Sequence, residues 1–202
     1  MIDDMFGGMP QVDIDWHPHW LSPEEATLAL DALLEEVQWK QDLIRTPGGI
    51  KPLPRLTAWQ GDSGAVYVYS GIRNEPLAWT PTVQALRSLA EATCETRFNS
   101  VLLNRYRSGE DSMGWHADRE PELGAQPVIA SVSLGVARRF DLKHRATDTM
   151  RSFELTSGSL LVMRGQTQQE WRHRIAKAPG LRGERINLTF RFVTPIEKSP
   201  RR

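Results

Sequence analysis

The sequence predicts a mainly β chain of α+β character, a sandwich or jelly-roll fronted by a helical N-terminal layer, and three observations support that expectation. From Phe98 onward, short β-branched and aromatic runs alternate with Gly109, Gly124, Gly135, Gly158, Gly165 and Gly183, the punctuation of many short strands. Before Phe98, two stretches repeat apolar residues at helical spacing behind starts marked by proline. The 202 residues, 40% hydrophobic and 25% charged, suit one globular unit with a sizeable core, and no linker or repeat divides them. We therefore expect one domain over 1–202, with the helical layer over about 1–97 and the jelly-roll core over about 98–195.

The first twenty residues are acidic and interrupted by proline. They end in Trp16, His17, His19 and Trp20. His17 and His19 have the spacing of a metal pair, but Pro18 lies between them and no third partner is near, so they read as a packed first strand. Ser22-Pro23-Glu24-Glu25 then opens a helix, with Ser22 as N-cap, Pro23 in the first turn and Glu25 closing a capping box. Leu30, Leu33, Leu34 and Val37 follow on one face. Residues 40–64 are rich in Pro and Gly breakers and read as loop. Val66-Tyr67-Val68-Tyr69-Ser70-Gly71 is a short strand closed by a turn. Its two tyrosines share a face, either as core or as an aromatic platform for a flat ligand. A second helix over about 81–95 is capped by Thr80 and carries Val83, Leu86, Leu89 and Ala90 on one side. Strands are then expected over 100–106, 128–134, 138–142, 153–155, 159–163, 171–175 and 185–193.

Composition narrows the class further. Cys94 is the only cysteine, so an internal disulfide and a thiolate-rich zinc site are both excluded. No run of about 18 apolar residues exists, and Met-Ile-Asp-Asp lacks the basic flank and apolar core of a signal peptide. A soluble, cytoplasmic chain without membrane contact is expected. Formal net charge is zero, but residues 1–100 hold 7 Lys and Arg against 14 Asp and Glu, and residues 101–202 hold 18 against 11. The halves therefore differ by sign, at −7 and +7. A basic half can supply phosphate contacts to nucleic acid, or it can be solvated surface.

The candidate chemistry lies in Asn104 to Asp118. His116 and Asp118 stand one residue apart, so in extended chain both side chains leave one face and can grip one metal ion. A further histidine, His173, sits in a second apolar and aromatic run that can pair alongside. Two imidazoles and one carboxylate leave the far side of a divalent ion open, the arrangement of non-heme Fe(II) oxygenases. Downstream, Arg185, Asn187, Thr189 and Arg191 alternate with Ile186, Leu188 and Phe190. Two arginines facing a sandwich interior are costly unless an anion compensates them, and a dicarboxylate would satisfy both. The alternative is that this polar face is solvent-exposed.

Over about 140 residues the chain resembles the AlkB family of Fe(II)/2-oxoglutarate dioxygenases, particularly the branch of human AlkB homologues two and three. The motifs are Tyr-Val-Tyr-Ser-Gly, Phe-Asn-Ser-Val-Leu-Leu-Asn-Arg-Tyr, the His-X-Asp, Gly-Ser-Leu-Leu-Val-Met-Arg and Arg-Ile-Asn-Leu-Thr-Phe-Arg, in that order. The resemblance implies a double-stranded β-helix with His116, Asp118 and His173 as iron ligands. It implies that Asn104, Tyr106 and Arg185 hold the distal carboxylate of 2-oxoglutarate, with Asn187 and Arg191 near its metal-bound end. It also makes the N-terminal layer the nucleotide-recognition part, with Tyr69 stacking on a flipped base against His116 and with Tyr67 and Ser70 beside it.

The activity so implied consumes O2 and 2-oxoglutarate and removes the methyl group of 1-methyladenine or 3-methylcytosine type bases in DNA or RNA as formaldehyde. A monomer acting on nucleic acid is expected. Two positions depart from the family pattern. Asp118 is followed by Arg119 where the relatives continue an acidic run, so either Glu120 takes the acidic role toward the base, or Arg119 points toward phosphate, or the substrate differs. Gln60 stands where relatives usually place a tyrosine. These departures weaken the substrate assignment, and Arg119 favours the alternative, an oxygenase of the same fold acting on a protein or a small molecule.

Overall fold

The computed structural model describes residues 10–46, 48–69 and 72–194, apart from the side chains of residues 46, 67–69 and 72–74. The first half runs β1 (Ile14–His17), α1 (Pro23–Glu36), β2 (Leu43–Thr46), β3 (Gly49–Pro52), β4 (Leu56–Gly61), β5 (Tyr67–Tyr69), β6 (Ile72–Asn74) and α2 (Pro81–Cys94). The second half runs β7 (Ser100–Tyr106), β8 (Met113–His116), a 3-10 turn (Pro121–Leu123), β9 (Ile129–Gly135), β10 (Arg138–His144) and β11 (Met150–Leu155). It continues with β12 (Ser159–Met163), α3 (Thr167–Glu170), β13 (Trp171–Ile175) and β14 (Arg185–Arg191).

Two antiparallel sheets result, one ordered β1-β12-β9-β14-β7-β4 and the other β11-β10-β13-β8, with β2–β3 and β5–β6 as separate hairpins. The larger sheet is covered on one face by α1 and α2. Leu33, Val83, Leu86 and Ala90 from the helices pack there with Val101, Leu103, Val132, Leu188 and Phe190. Its other face meets the smaller sheet through Ile129, Phe140, Leu142, Leu161 and Trp171. This layering is the jelly-roll that the strand pattern predicts. Among the described residues no helix is long and apolar enough to cross a membrane.

The capping box of α1 forms as expected: Glu25 N–H donates to Ser22 Oγ at 3.2 Å and Ser22 N–H to Glu25 Oε2 at 2.8 Å. Thr80 does not cap α2 with its hydroxyl. Instead Glu36, at the end of α1, accepts from the Thr82 N–H at 3.1 Å and hydroxyl at 2.7 Å, so one helix supplies the anion that the next helix's N-terminus favours. Leu89 turns outward at 49% exposure, and Cys94 takes its place on the buried face.

Residues 40–64 are not the loop that their breakers suggest. They hold β2, β3 and β4, and β4 pairs with β7 as the edge of the larger sheet. β4 is buried along nearly its whole length, so it lacks the polar-apolar alternation of a half-exposed strand. With β1 paired to β12, the N-terminal stretch contributes both edges of that sheet, and residue 97 is no boundary between sheets. β8 escapes sequence reading because it is four residues long and its register with β13 shifts between His173 and Ile175.

Candidate metal centre

β13 brings His173 opposite His116 on β8, and the two rings stand 4.2 Å apart between centroids in an edge-to-face arrangement. Asp118 follows just beyond β8. One donor atom from each of His116, Asp118 and His173 lies within 4.8 Å of the others, so two segments 55 residues apart in sequence meet at one point. Asp118 is held from two sides: its N–H donates to Gln168 Oε1 at 2.9 Å, and its Oδ2 accepts from Arg191 Nη2 at 2.9 Å. That leaves Oδ1, 3.9 Å from His116 Nε2, as the free ligand atom.

The protonation states suit a cation. His116 Nδ1 lies 2.8 Å from the Gly114 carbonyl, which can only accept, so Nδ1 carries the proton and Nε2 presents its lone pair. Burial lowers the pKa of His116 against the pull of Asp118, and burial together with neighbouring His116 lowers that of His173 to about 3. Both rings are therefore neutral at pH 7. Burial alone would raise the Asp118 carboxyl, but Arg191, His173 and His116 outweigh it and hold the carboxyl below its ordinary range. Two neutral imidazoles and a carboxylate fit Fe(II) or another first-row divalent ion.

The same pocket, between the sheets, is lined by Asn104, His116, Asp118, His173, Arg185, Asn187, Thr189 and Arg191 on its polar side. Ser131, Leu102, Met113, Phe140, Leu155, Met163 and Ile175 complete it. Strand pairing explains the polar side. On β14, Ile186, Leu188 and Phe190 enter the helix-covered core, so period two turns Arg185, Asn187, Thr189 and Arg191 to the other face. Arg185 stands opposite Tyr106, and Asn187 opposite Asn104.

The expectation of an anion for two arginines divides here. Arg191 already has Asp118 as its counter-charge. Arg185 is 1% exposed and donates through Nη2 to Ser133 Oγ at 2.8 Å, while its Nε and Nη1 are buried without a hydrogen-bond partner. Burial pushes its pKa down to about 10, with the Tyr106 ring 5.2 Å beneath it. Orphaned donors on a buried cation, beside a second charged and polar cluster, fit the far carboxylate of a dicarboxylic acid.

Tyr106 is buried under both Arg185 and Arg138. Glu120 is outside the pocket lining and starts the 3-10 turn, its carbonyl accepting from Leu123 N–H at 3.0 Å. Gln60 is buried, and its side-chain oxygen accepts from the Thr80 N–H at 3.0 Å, so it serves the helix junction. The side chains of Tyr67 and Tyr69, and Ser70 altogether, lie outside the described residues. Sequence reasoning missed two residues that organise the site. Gln168 sits in a four-residue helix with no periodic signal. Arg55 follows a Pro-Leu-Pro breaker, and its Nε reaches Asn104.

Known proteins are similar to this chain in sequence and in fold. Residues 13–191 match the sequence profile of the 2OG-Fe(II) oxygenase superfamily. The chain is 39% identical over 189 residues to alpha-ketoglutarate-dependent dioxygenase alkB homolog 3 of Mus musculus, covering 89% of this chain and 65% of that protein. It is 38% identical over 189 residues to the Homo sapiens protein of that name, with the same two coverages. It is 35% identical over 208 residues to DNA oxidative demethylase ALKBH2 of Arabidopsis thaliana, covering 90% and 66%. The chain thus spans slightly under two thirds of these relatives' length. The solved structure of OsALKBH1 superposes with a TM-score of 0.64 at 15% identity, covering 91% of this chain and 98% of that one, a likeness of fold.

Proposed function

The chain belongs to the 2OG-Fe(II) oxygenase superfamily, and from that premise we propose that it removes methyl groups from ring nitrogens of nucleobases, of the 1-methyladenine and 3-methylcytosine type, in DNA or RNA. The observation that carries this reading is the meeting of the His116, Asp118 and His173 donor atoms in one pocket with the orphaned guanidinium of Arg185. Relatives named as alkB homolog 3 and as DNA oxidative demethylase supply the substrate class. When bound, Fe(II) and 2-oxoglutarate use O2 to oxidise a carbon–hydrogen bond, with succinate and carbon dioxide as co-products.

The chain's own residues divide the remaining work. His116 Nε2, His173 and Asp118 Oδ1 hold the ion, while Arg191 occupies Oδ2 and keeps the carboxylate ionised. Arg185, Asn104 and Tyr106 take the distal carboxylate of 2-oxoglutarate, and Asn187 and Arg191 border its other end. The apolar half of the pocket keeps water from the reacting carbon. The oxidised methyl leaves as formaldehyde once its bond to the ring nitrogen breaks and the hydroxyl proton is lost. A methyl inside a duplex cannot reach the ion, so the base is unpaired or flipped, at about a few kcal/mol. We assign the base-holding surface to Tyr67, Tyr69, Ser70 and Glu120. With this reading go a cytoplasmic location and action as a monomer on nucleic acid.

Arg119, beside Asp118 where an acidic residue would suit a cationic methylated base, favours the second reading, an oxygenase of a protein or small-molecule substrate. Incubation of methylated oligonucleotides with protein, Fe(II), 2-oxoglutarate and O2, followed by mass spectrometry, separates the two. Loss of the methyl mass, abolished in His173→Ala, is expected. Unchanged single- and double-stranded DNA and RNA, with succinate still formed, would reject the nucleobase substrate.

A further inference from the structure

Three arginines that the proposed chemistry does not use gather beside the metal centre. Arg119 follows Asp118, and Arg172 precedes His173. Asp118 N–H is bonded to Gln168, and Arg145 N–H donates to the Glu170 carbonyl at 2.8 Å, so residues 119 and 145 both border the short segment 168–172 that carries Arg172. In the β10–β13 pairing Arg172 stands opposite Lys143 and His144 opposite Trp171, which sets Arg145 two register positions past Lys143, opposite Glu170. Alternation along β13 sends Arg172 out through the face opposite to His173. Arg119 and Arg145 are exposed, and Arg172 is half-buried.

The three cations make no ion pair among the described residues. Among the described residues, no carboxylate lies within ion-pair distance of Arg119, Arg145 or Arg172, whereas neighbouring Arg139 and Arg174 share Asp141, and Lys143 has Asp148. Arg172 Nε is buried with no hydrogen-bond partner. The Arg145 pKa is lowered by burial and then by the positive charges of Arg119 and Arg172, which marks the three as close enough to repel. Clustered like charges without a direct ion pair, one with an orphaned donor, suit a site for an external anion.

We propose that Arg119, Arg145 and Arg172 form a phosphate-binding site on the outside of the metal pocket, which takes a backbone phosphate of the nucleic-acid strand whose base enters it. A phosphodiester offers acceptor oxygens to several guanidinium groups at once. A base threaded to the ion leaves its own or an adjoining phosphate outside, where these arginines stand. Trp115, whose ring lies 4.5 Å from the Arg174 guanidinium on the same outer face, adds an aromatic surface beside the cations. The site accounts for Arg119 as a contact to the strand and not to the cationic base. This inference rests on the nucleic-acid reading above.

The test is fluorescence anisotropy of a labelled single-stranded oligonucleotide with the full chain across a potassium chloride series. Arg145→Met and Arg172→Met should each weaken binding about two- to fivefold at low salt, as loss of an exposed ion pair does. Each should also reduce the slope of log affinity against log salt by about 0.7, the value for one phosphate contact on a single strand. Arg145→Lys should keep the slope. Lys177→Met, which removes a charge beyond the far end of β13, should leave it unchanged. Wild-type slopes in both methionine variants would overturn the site, as would an equal fall in Lys177→Met or equally tight binding of polyglutamate. Should Arg172→Met not fold, the exposed Arg145→Met decides alone. The slope is independent of turnover. If it falls as predicted but no methylated base is repaired, the proposed reaction fails and the site stands; if repair persists with the slope unchanged, the reverse holds.

Discussion

Nε of Arg55 donates to Oδ1 of Asn104 across 2.6 Å, and that bond decides which end of the Asn104 carboxamide faces the pocket. A guanidinium only donates, so the amide oxygen turns to Arg55 and the amide N–H2 is left for the cavity that Asn104 lines. Arg55 is 3% exposed and is further fixed by the Ser112 carbonyl at 3.3 Å. If Asn104 donates to the distal carboxylate of 2-oxoglutarate, Arg55 is a positioning residue for it. Arg55→Met should raise the 2-oxoglutarate Kd by about tenfold, the equivalent of one hydrogen bond to a charged group. Anaerobic titration of the Fe(II) charge-transfer band reads this directly. Arg55→Lys should recover part of the loss, and an unchanged Kd in the methionine variant would contradict the role.

Arg185 poses the converse problem, a buried cation that the protein alone only partly satisfies. In the chain without cosubstrate, its uncompensated Nε and Nη1 are a source of instability. Arg185→Met, similar in length and apolar, should leave the melting temperature equal or higher when measured without 2-oxoglutarate. Wild type loaded with a redox-inert divalent ion and 2-oxoglutarate at about 100 times Kd should gain about 2.7 kcal/mol, or roughly 5–10 °C for a chain of this size. The variant should lose that gain. A large drop in stability of the unliganded variant would mean that Ser133 and Tyr106 already satisfy the charge.

How far the site could be read in advance depended on periodicity. The polar face of β14 was legible because Ile186, Leu188 and Phe190 mark the other face by strict alternation. His116, Asp118 and His173 were legible because short spacing on one segment and a distant third donor are a known metal pattern. The Arg191–Asp118 ion pair was not, since nothing in sequence distinguishes the arginine that serves the protein from the one that awaits a ligand. Arg55 and Gln168 were invisible for another reason. Each acts through one hydrogen bond from an irregular segment, and such bonds follow from tertiary placement and not from pattern. β4 was lost because burial on both faces erases the alternation that identifies a strand.

Cys94 offers a check on the packing of α2. It is 2% exposed, and burial pushes its thiol up to about 11, with Arg164 opposing and Asp15 reinforcing the shift. An unfolded thiol titrates near 8.5. At pH 8 the native thiol should therefore react with a disulfide reagent more than about a hundredfold more slowly than in the unfolded chain, where thiolate is abundant. Because the folded pKa is the higher, stability from this group is complete below about 8.5 and is lost as pH rises toward 11. Rapid labelling under native conditions would show that α2 opens readily.

Asp141 gives the opposite pH dependence and lies on the outer face of the smaller sheet. Its carboxylate is fully buried, accepting from Ser152 Oγ at 2.8 Å and pairing with Arg139 Nε at 2.8 Å and Arg174 Nε at 3.0 Å. Burial by itself would raise the carboxyl, but the bonds from Ser152, Arg139 and Arg174 together outweigh it and hold it low. The unfolded chain therefore binds the proton more readily, near pH 3.9. The stabilisation is complete above that value and fades as pH falls through the lower folded pKa. Asp141→Asn keeps the shape but turns an amide toward two cations. It should destabilise by about 1–3 kcal/mol at pH 7, with the two arginines' partial exposure favouring the lower end. The penalty should shrink once the pH drops below about 3.9, because the unfolded wild-type chain then takes up a proton that the folded carboxylate still resists. Urea unfolding of both proteins from pH 7 to strongly acidic pH measures the difference. A gap that stays constant across that range would mean that Asp141 contributes through shape alone and that its ionisation adds nothing to the sheet.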